Sequence, residues 1–247
     1  MLKLLKYELL SSYRQFFATF TIFLVLSLAT PFLPKQISNI LTGLLMCAVF
    51  GISMAVQVNI CLNYNKSMFK QPGYLTLTLP VSTTKVVLAK IISSFIWNIV
   101  ATIVLGIGLV LMTGVLGYVN IFEFFDILFK SIGQFLSYAT FDTYMDLLLS
   151  LLFLLSSLLL FLISVYCVIS FTHTKYVPKY KFVIGIIVYV VLSTLFSMFL
   201  DSDLICMIIV PLSYQMSMLM GSILFIVIGV GLFALNNYFI NYKIEIE

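Results

Sequence analysis

Few residues in this sequence carry the chemistry of catalysis, and their spacing keeps them apart. Cys47, Cys61, Cys167 and Cys206 have no metal-ligand spacing and lie in or beside apolar stretches, where a thiol behaves as a small hydrophobe. His173 stands in a basic loop with no second histidine or carboxylate beside it, so no metal site is expected. Asp142 and Asp146 fit one helix face, but like Asp201 and Asp203 they flank an apolar run, where solvated carboxylates are the norm. There is no Gly-x-x-x-x-Gly-Lys-Ser/Thr loop to hydrolyse ATP, no His-Glu-x-x-His helix and no Gly-x-Ser-x-Gly elbow. The chain is therefore not expected to be an enzyme, nor to hold a cofactor of its own. What remains is a set of neutral polar groups inside apolar runs: Gln57, Asn59, Asn98, Thr102 and Tyr166. Such groups fit hydrogen bonds between helices and equally the lining of a polar path.

Composition sets the elements that must carry these groups. Of 247 residues, 62% are hydrophobic and only 9% charged, against about 25% charged in an ordinary globular domain. Mean hydropathy is +1.18. So few charges cannot cover so much apolar surface in water, and the solvent must be largely lipid. An all-α membrane protein is expected, because a helix satisfies its own backbone groups there. A net charge of +4, spread over several loops, argues against a nucleic-acid partner. No linker, low-complexity tract or repeat interrupts the chain, so residues 1–247 form a single transmembrane domain.

Six spans are expected, at about 16–33, 40–62, 88–117, 147–171, 182–200 and 217–240, each close to the roughly 18 or more apolar residues that cross a bilayer core. The run from Leu204 to Ile240 carries no charge and would measure about 55 Å as one helix. Pro211 supplies a break, which leaves a short re-entrant segment before span six. Cations set the orientation. With the N-terminus inside, Lys3, Lys6, Arg14, Lys66, Lys70, Lys85, Lys90, Lys175, Lys179, Lys181 and Lys243 are all cytoplasmic, leaving only Lys35 and Lys130 outside with Glu123, Asp126, Asp142, Asp146, Asp201 and Asp203. Both termini are then expected to be cytoplasmic, with the plasma membrane as the expected location. No Asp, Glu, Lys, Arg or His is central in any span. Lys90 comes nearest, and its stem is long enough to snorkel to the headgroups.

Two further helices are amphipathic. At the N-terminus Leu2, Leu5, Leu9 and Phe16 share a face away from Lys3, Lys6 and Arg14, which fits an interfacial helix better than a cleaved signal peptide. Between spans three and four, Phe125, Leu128, Ile132 and Phe135 recur at helical spacing opposite Glu123, Asp126, Lys130 and Gln134. That pattern suits an outer-leaflet helix, or a lateral gate for amphipathic cargo.

The most unusual stretch is the cytoplasmic loop 63–85. It joins Lys66, Lys70 and Lys85 to an apolar segment, Pro72-Gly73-Tyr74-Leu75-Thr76-Leu77-Thr78-Leu79-Pro80, with no lipid to cover it. The Leu/Thr alternation fits a short strand, and an exposed apolar patch usually marks a partner site. The run Gly73 to Ser82, with Lys85, Ala89-Lys90 and Trp97, resembles the signature of permease subunits of ABC-2 type transporters, especially a branch common in Gram-positive bacteria. The resemblance implies six spans with an amphipathic N-terminal helix and short re-entrant pieces between spans five and six. It also implies coupling to a separate cytoplasmic ATP-binding cassette ATPase through Lys70, Gly73, Tyr74, Leu75, Leu77, Leu79, Pro80 and Lys85. Lys70-Gln71-Pro72 stands where family members often carry acidic residues. ATP and Mg would then sit on the ATPase, and a second permease chain, identical or homologous, would complete the path through the membrane lipids. The expected function is export of an amphipathic or hydrophobic cargo such as a peptide, drug or lipid. A polytopic sensor or assembly scaffold without transport is the alternative.

Overall fold

The computed structural model describes residues 2–29, 35–69, 82–115, 121–138, 140–177, 179–200 and 213–242. Among these residues the chain is helical, without strands: α1 (Leu2–Ala29), α2 (Lys35–Phe69), α3 (Thr83–Val115), α4 (Ile121–Tyr138), α5 (Phe141–Thr172), α6 (Lys181–Leu200) and α7 (Tyr214–Tyr242). Five stretches are long and apolar enough to cross a membrane: Met46–Phe69, Thr83–Leu111, Phe141–Thr172, Lys181–Leu200 and Tyr214–Asn241. α1 bends by 47° between Leu4–Arg14 and Phe16–Ala29. One turn before the bend, the Ser12 hydroxyl donates to the Glu8 carbonyl at 2.9 Å, a back-bond that commonly bends helices. The re-entrant segment expected before span six lies outside the described residues, as do Cys206, Asp201 and Asp203.

Several boundaries differ from the sequence-based expectation. α2 stays helical to Phe69 and α3 begins at Thr83, so both ends of the expected loop 63–85 are helix. Burial explains this: Tyr64, Met68 and Phe69 are enclosed on one face of α2, while Leu62 and Lys66 stay exposed on the other. Packing overrides the polar residues Asn63, Asn65 and Lys66 that mark a membrane boundary by composition. α5 starts at Phe141 rather than near 147, with Asp142 in the first turn, where a carboxylate complements the helix dipole. α4 forms over Ile121–Tyr138, stabilised on its exposed side by a Lys130–Asp126 ion pair of 2.7 Å. The side chains of Phe125, Leu128, Ile132 and Phe135 lie outside the described set.

The helices gather into two compact units. The first comprises Leu2–Ile60 and Ile96–Ala139. Its core is Phe23, packed by Val49 and Ile52 of α2 and by Val104, Leu105 and Leu109 of α3. Phe16 stacks on Trp97. α1 and α3 therefore run in the same direction, and α2, with Ile52 at this level and Gln57 beside Asn98, runs the opposite way. Gly108 makes room for Phe23: a Cβ there would come within 2.6 Å of the ring's Cζ.

The second unit comprises Cys61–Phe95 and Thr140–Glu247, and α5 is its spine. α5 packs along α7 through Phe153 against Gly221 and Phe225, Ile163 against Gly229, and Phe171 against Phe239. Residue numbers climb together along this seam, so α5 and α7 are parallel. α6 meets α5 in reverse order, Gly185 beside Thr172 and Tyr189 beside Phe161, and is antiparallel. α6 buries no residue, and its Ile186, Val190 and Leu195 face outward, as suits a helix whose solvent is hydrocarbon.

Candidate functional site

Hydroxyl groups enter these apolar helices mostly by bonding to their own backbone. Ser156, Ser164 and Ser222 donate to the carbonyls of Phe153, Phe161 and Leu219 at 2.7–2.8 Å, so they are satisfied without linking helices. The groups that do link helices concentrate at one end of the second unit.

There Tyr64 of α2 is fully enclosed, and its ring stacks on Tyr166 of α5 at a centroid distance of 3.9 Å with 7° between planes. Its hydroxyl lies 3.0 Å from Ser170 Oγ and 3.3 Å from Asn236 Nδ2. One self-consistent assignment has Asn236 Nδ2–H donating to Tyr64 Oη while the Tyr64 O–H donates to Ser170 Oγ. Tyr166 continues the chain through its hydroxyl to Ser94 Oγ of α3. Four helices are thus tied by one buried network, where each unmade bond would carry a desolvation cost of about 1–3 kcal/mol.

One turn further towards the helix ends, Lys90 of α3 is 3% exposed and its Nζ donates to Ser67 Oγ at 2.6 Å. This corrects the expectation that Lys90 snorkels to the headgroups: α2 continues past it and offers an acceptor inside the protein. Ser67 in turn donates to the Asn63 carbonyl at 2.6 Å. Phe69, the last residue of α2, stacks on His173 at 4.3 Å and 13°. The imidazole Nδ1 lies 3.0 Å from the Ile169 carbonyl, a bond that puts the proton on Nδ1. His173 is thus a buried end-piece of α5 rather than a residue of a solvated loop. At the start of α3, Thr83 Oγ1 donates to Asn241 Oδ1 of α7 at 2.8 Å. The two helix ends that bracket residues 70–82 are therefore both anchored, α2 by Phe69 and Ser67, α3 by Lys90 and Thr83.

Of the residues expected to couple to a partner, Lys85 is described and is exposed in the first turn of α3. Lys70, Gly73, Tyr74, Leu75, Leu77, Leu79 and Pro80 lie outside the described residues. Of the polar residues inside the spans, two meet directly in the first unit: Gln57 Nε2 donates to Asn98 Oδ1 at 2.6 Å. Thr102 donates to the Asn98 carbonyl at 2.9 Å, and Asn59 is half-buried on another face of α2. Tyr166 belongs to the second unit, in the network described above.

Sequence reasoning missed Tyr64, Ser67, Ser94, Ser170 and Asn236. Each is commonplace alone. The available signal was their recurrence at the same end of four apolar runs, since side chains at one depth in neighbouring spans are those that can meet. Among the described residues no group of three or more His, Cys, Asp or Glu side chains is placed to hold a metal. Cys47, Cys61 and Cys167 are free thiols. Comparison with family models, curated proteins and solved structures finds no match to this chain.

Proposed function

We propose that this chain is the membrane-spanning permease subunit of an ATP-binding cassette exporter, driven by a separate cytoplasmic ATPase and working with a second permease chain. Six crossings follow when the bent α1, Leu4–Arg14 with Phe16–Ala29, is counted as one span with the five long apolar helices. The parallel course of α1 and α3, and of α5 and α7, supports such alternation. Cation placement then puts both termini and residues 70–82 on the cytoplasmic side of the plasma membrane.

The observation that carries the proposal is the pairing of the Gly73 to Ser82 signature with the anchored helix ends on either side of it. A partner that pushes on a loop moves the membrane helices only if the loop's base is stiff. Lys90 to Ser67, Thr83 to Asn241 and the Phe69–His173 stack provide that stiffness, and the Tyr64 network spreads the displacement over four helices. ATP and Mg bind on the ATPase. Spans with no central Asp, Glu, Lys, Arg or His favour an amphipathic or hydrophobic cargo over a polyanion.

The test is co-purification of the permease with a co-expressed P-loop ATPase, sought among the neighbouring reading frames. Tyr74→Ala and Leu77→Asp each remove an anchor worth about 2 kcal/mol or more, an expected thirtyfold loss of affinity. Both variants should stay in the membrane but lose the ATPase, or lose the stimulation of its turnover by cargo. Full retention of both properties would remove residues 73–80 as the coupling segment and with them the most specific support for the family, while an unaltered chain that neither retains the ATPase nor lets cargo stimulate its turnover sinks the proposal in favour of a non-transport role.

A further inference from the structure

In the first unit, the N-terminal limb of α1 does not close fully onto α3. A cleft of about 500 Å³ remains between them, within the roughly 300–1,000 Å³ of small-molecule sites. Leu5, Leu9 and Tyr13 form one wall and Ile96, Trp97 and Val100 the other, with the exposed Lys6 in the same lining. Apart from the Lys6 ammonium, the polar atoms around the indole are already used. Trp97 Nε1 donates to Ser12 Oγ at 3.0 Å, Ser12 donates to the Glu8 carbonyl, and Phe16 covers one face of the indole at 4.5 Å. The Leu5, Leu9, Ile96 and Val100 side of the cleft is apolar, so it holds water poorly and suits hydrocarbon.

Charge is placed at the ends of this apolar wall. Arg14 Nε donates to Tyr13 Oη at 3.4 Å, so a second cation stands beside a lining residue, two turns from Lys6. Glu8 is the one carboxylate between Leu4 and Arg14, and it does not line the cleft. An apolar slot bordered by two cations matches an amphiphile with an acyl chain and a negative headgroup.

We infer that this cleft binds one anionic phospholipid of the inner leaflet, its acyl chain against Trp97 and its phosphate at Lys6 and Arg14. The site uses the bend in α1: the N-terminal limb presents cations to the headgroup layer while Phe16–Ala29 continues away from it. Bound lipid would fix the angle of the limb. The inference rests on the chain lying in a membrane and is independent of any ATPase.

Trp97 is the sole tryptophan of the sequence, so its fluorescence reports on the cleft alone. The full chain is reconstituted in phosphatidylcholine vesicles doped with lipid brominated on the acyl chain, carrying either a phosphatidylglycerol or a phosphatidylcholine headgroup. Brominated phosphatidylglycerol should quench Trp97 at about one fifth the mole fraction needed for phosphatidylcholine, or less, as expected for one or two headgroup-facing cations. Lys6→Gln combined with Arg14→Gln, both at exposed positions, should bring the ratio close to one without shifting the unquenched emission. Equal quenching by the two headgroups in the unaltered protein would reduce the site to ordinary annular contact and overturn the inference. Absence of quenching by either lipid would overturn it too, by showing the cleft closed to acyl chains. Neither result depends on whether Tyr74→Ala releases an ATPase, so the two proposals fail separately.

Discussion

Replacing Tyr64 with Phe removes one oxygen from the centre of the buried network and leaves the ring in place. The stack on Tyr166 at 3.9 Å survives, so the aromatic contribution of about 0.5–1.5 kcal/mol is unchanged. What is lost is the acceptor for Asn236 and the partner of Ser170, both with no measurable exposure. Ser170 can turn its hydroxyl to a carbonyl of its own helix, so its share of the cost is small. Asn236 loses its amide acceptor at a fully buried position, and a stranded buried amide costs about 1–3 kcal/mol. Hydrogen bonds between membrane helices average nearer 0.6 kcal/mol, with a maximum of about 1.7. The expected destabilisation is therefore about 1–2 kcal/mol, whereas Tyr64→Ala, which also empties the stack, should cost roughly 3–5 kcal/mol. The assay is equilibrium unfolding of the purified protein in mixed micelles with a rising fraction of denaturing detergent, followed by circular dichroism. A double-mutant cycle with Asn236→Leu should return a coupling of about 1 kcal/mol. If Tyr64→Phe lies within about 0.3 kcal/mol of the parent and the cycle closes to zero, the network is not what holds these helices together.

Three other outcomes are expected. Gly108→Ala drives a Cβ into the enclosed Phe23 ring and should cost about 1–3 kcal/mol in the same titration, while Gly106→Ala, with nothing within 4 Å, should be neutral or stabilise by up to about 1 kcal/mol. Equal effects of the two would contradict the packing of α1 on α3. Ser67→Ala withdraws an acceptor from the buried Lys90 ammonium and should cost about 1.5–3 kcal/mol, largely restored by adding Lys90→Met; a harmless Ser67→Ala would show that the 2.6 Å bond is not stabilising. In a background without native cysteines, residues 66 and 179 changed to Cys should resist an impermeant external thiol label while residue 130 reacts, all three positions being exposed; labelling at 66 would invert or break the six-span topology.

Membrane character, helical class and the positions of the long apolar helices were legible in the chain, because hydropathy and backbone satisfaction are properties of consecutive residues. α6 at Lys181–Leu200 lies within a residue of the expected 182–200, since it buries no residue and its extent follows its own apolar run. Where a helix end packs on its neighbours, the local signal fails. Asn63, Asn65 and Lys66 mark a boundary by composition, yet α2 continues to Phe69 because Tyr64 and Met68 are enclosed by partners more than a hundred residues away, such as Tyr166 and Asn236. Lys90 shows the same division. Its place near the end of a span predicts a side chain reaching for water, but an ammonium within 2.6 Å of Ser67 gains a directed bond instead. The cation asymmetry, the Gly73 to Ser82 segment and the chemistry that is missing can be read one residue at a time. Which hydroxyl meets which amide, and therefore which helix ends are anchored to their neighbours, depends on three-dimensional distances that no spacing along the chain encodes.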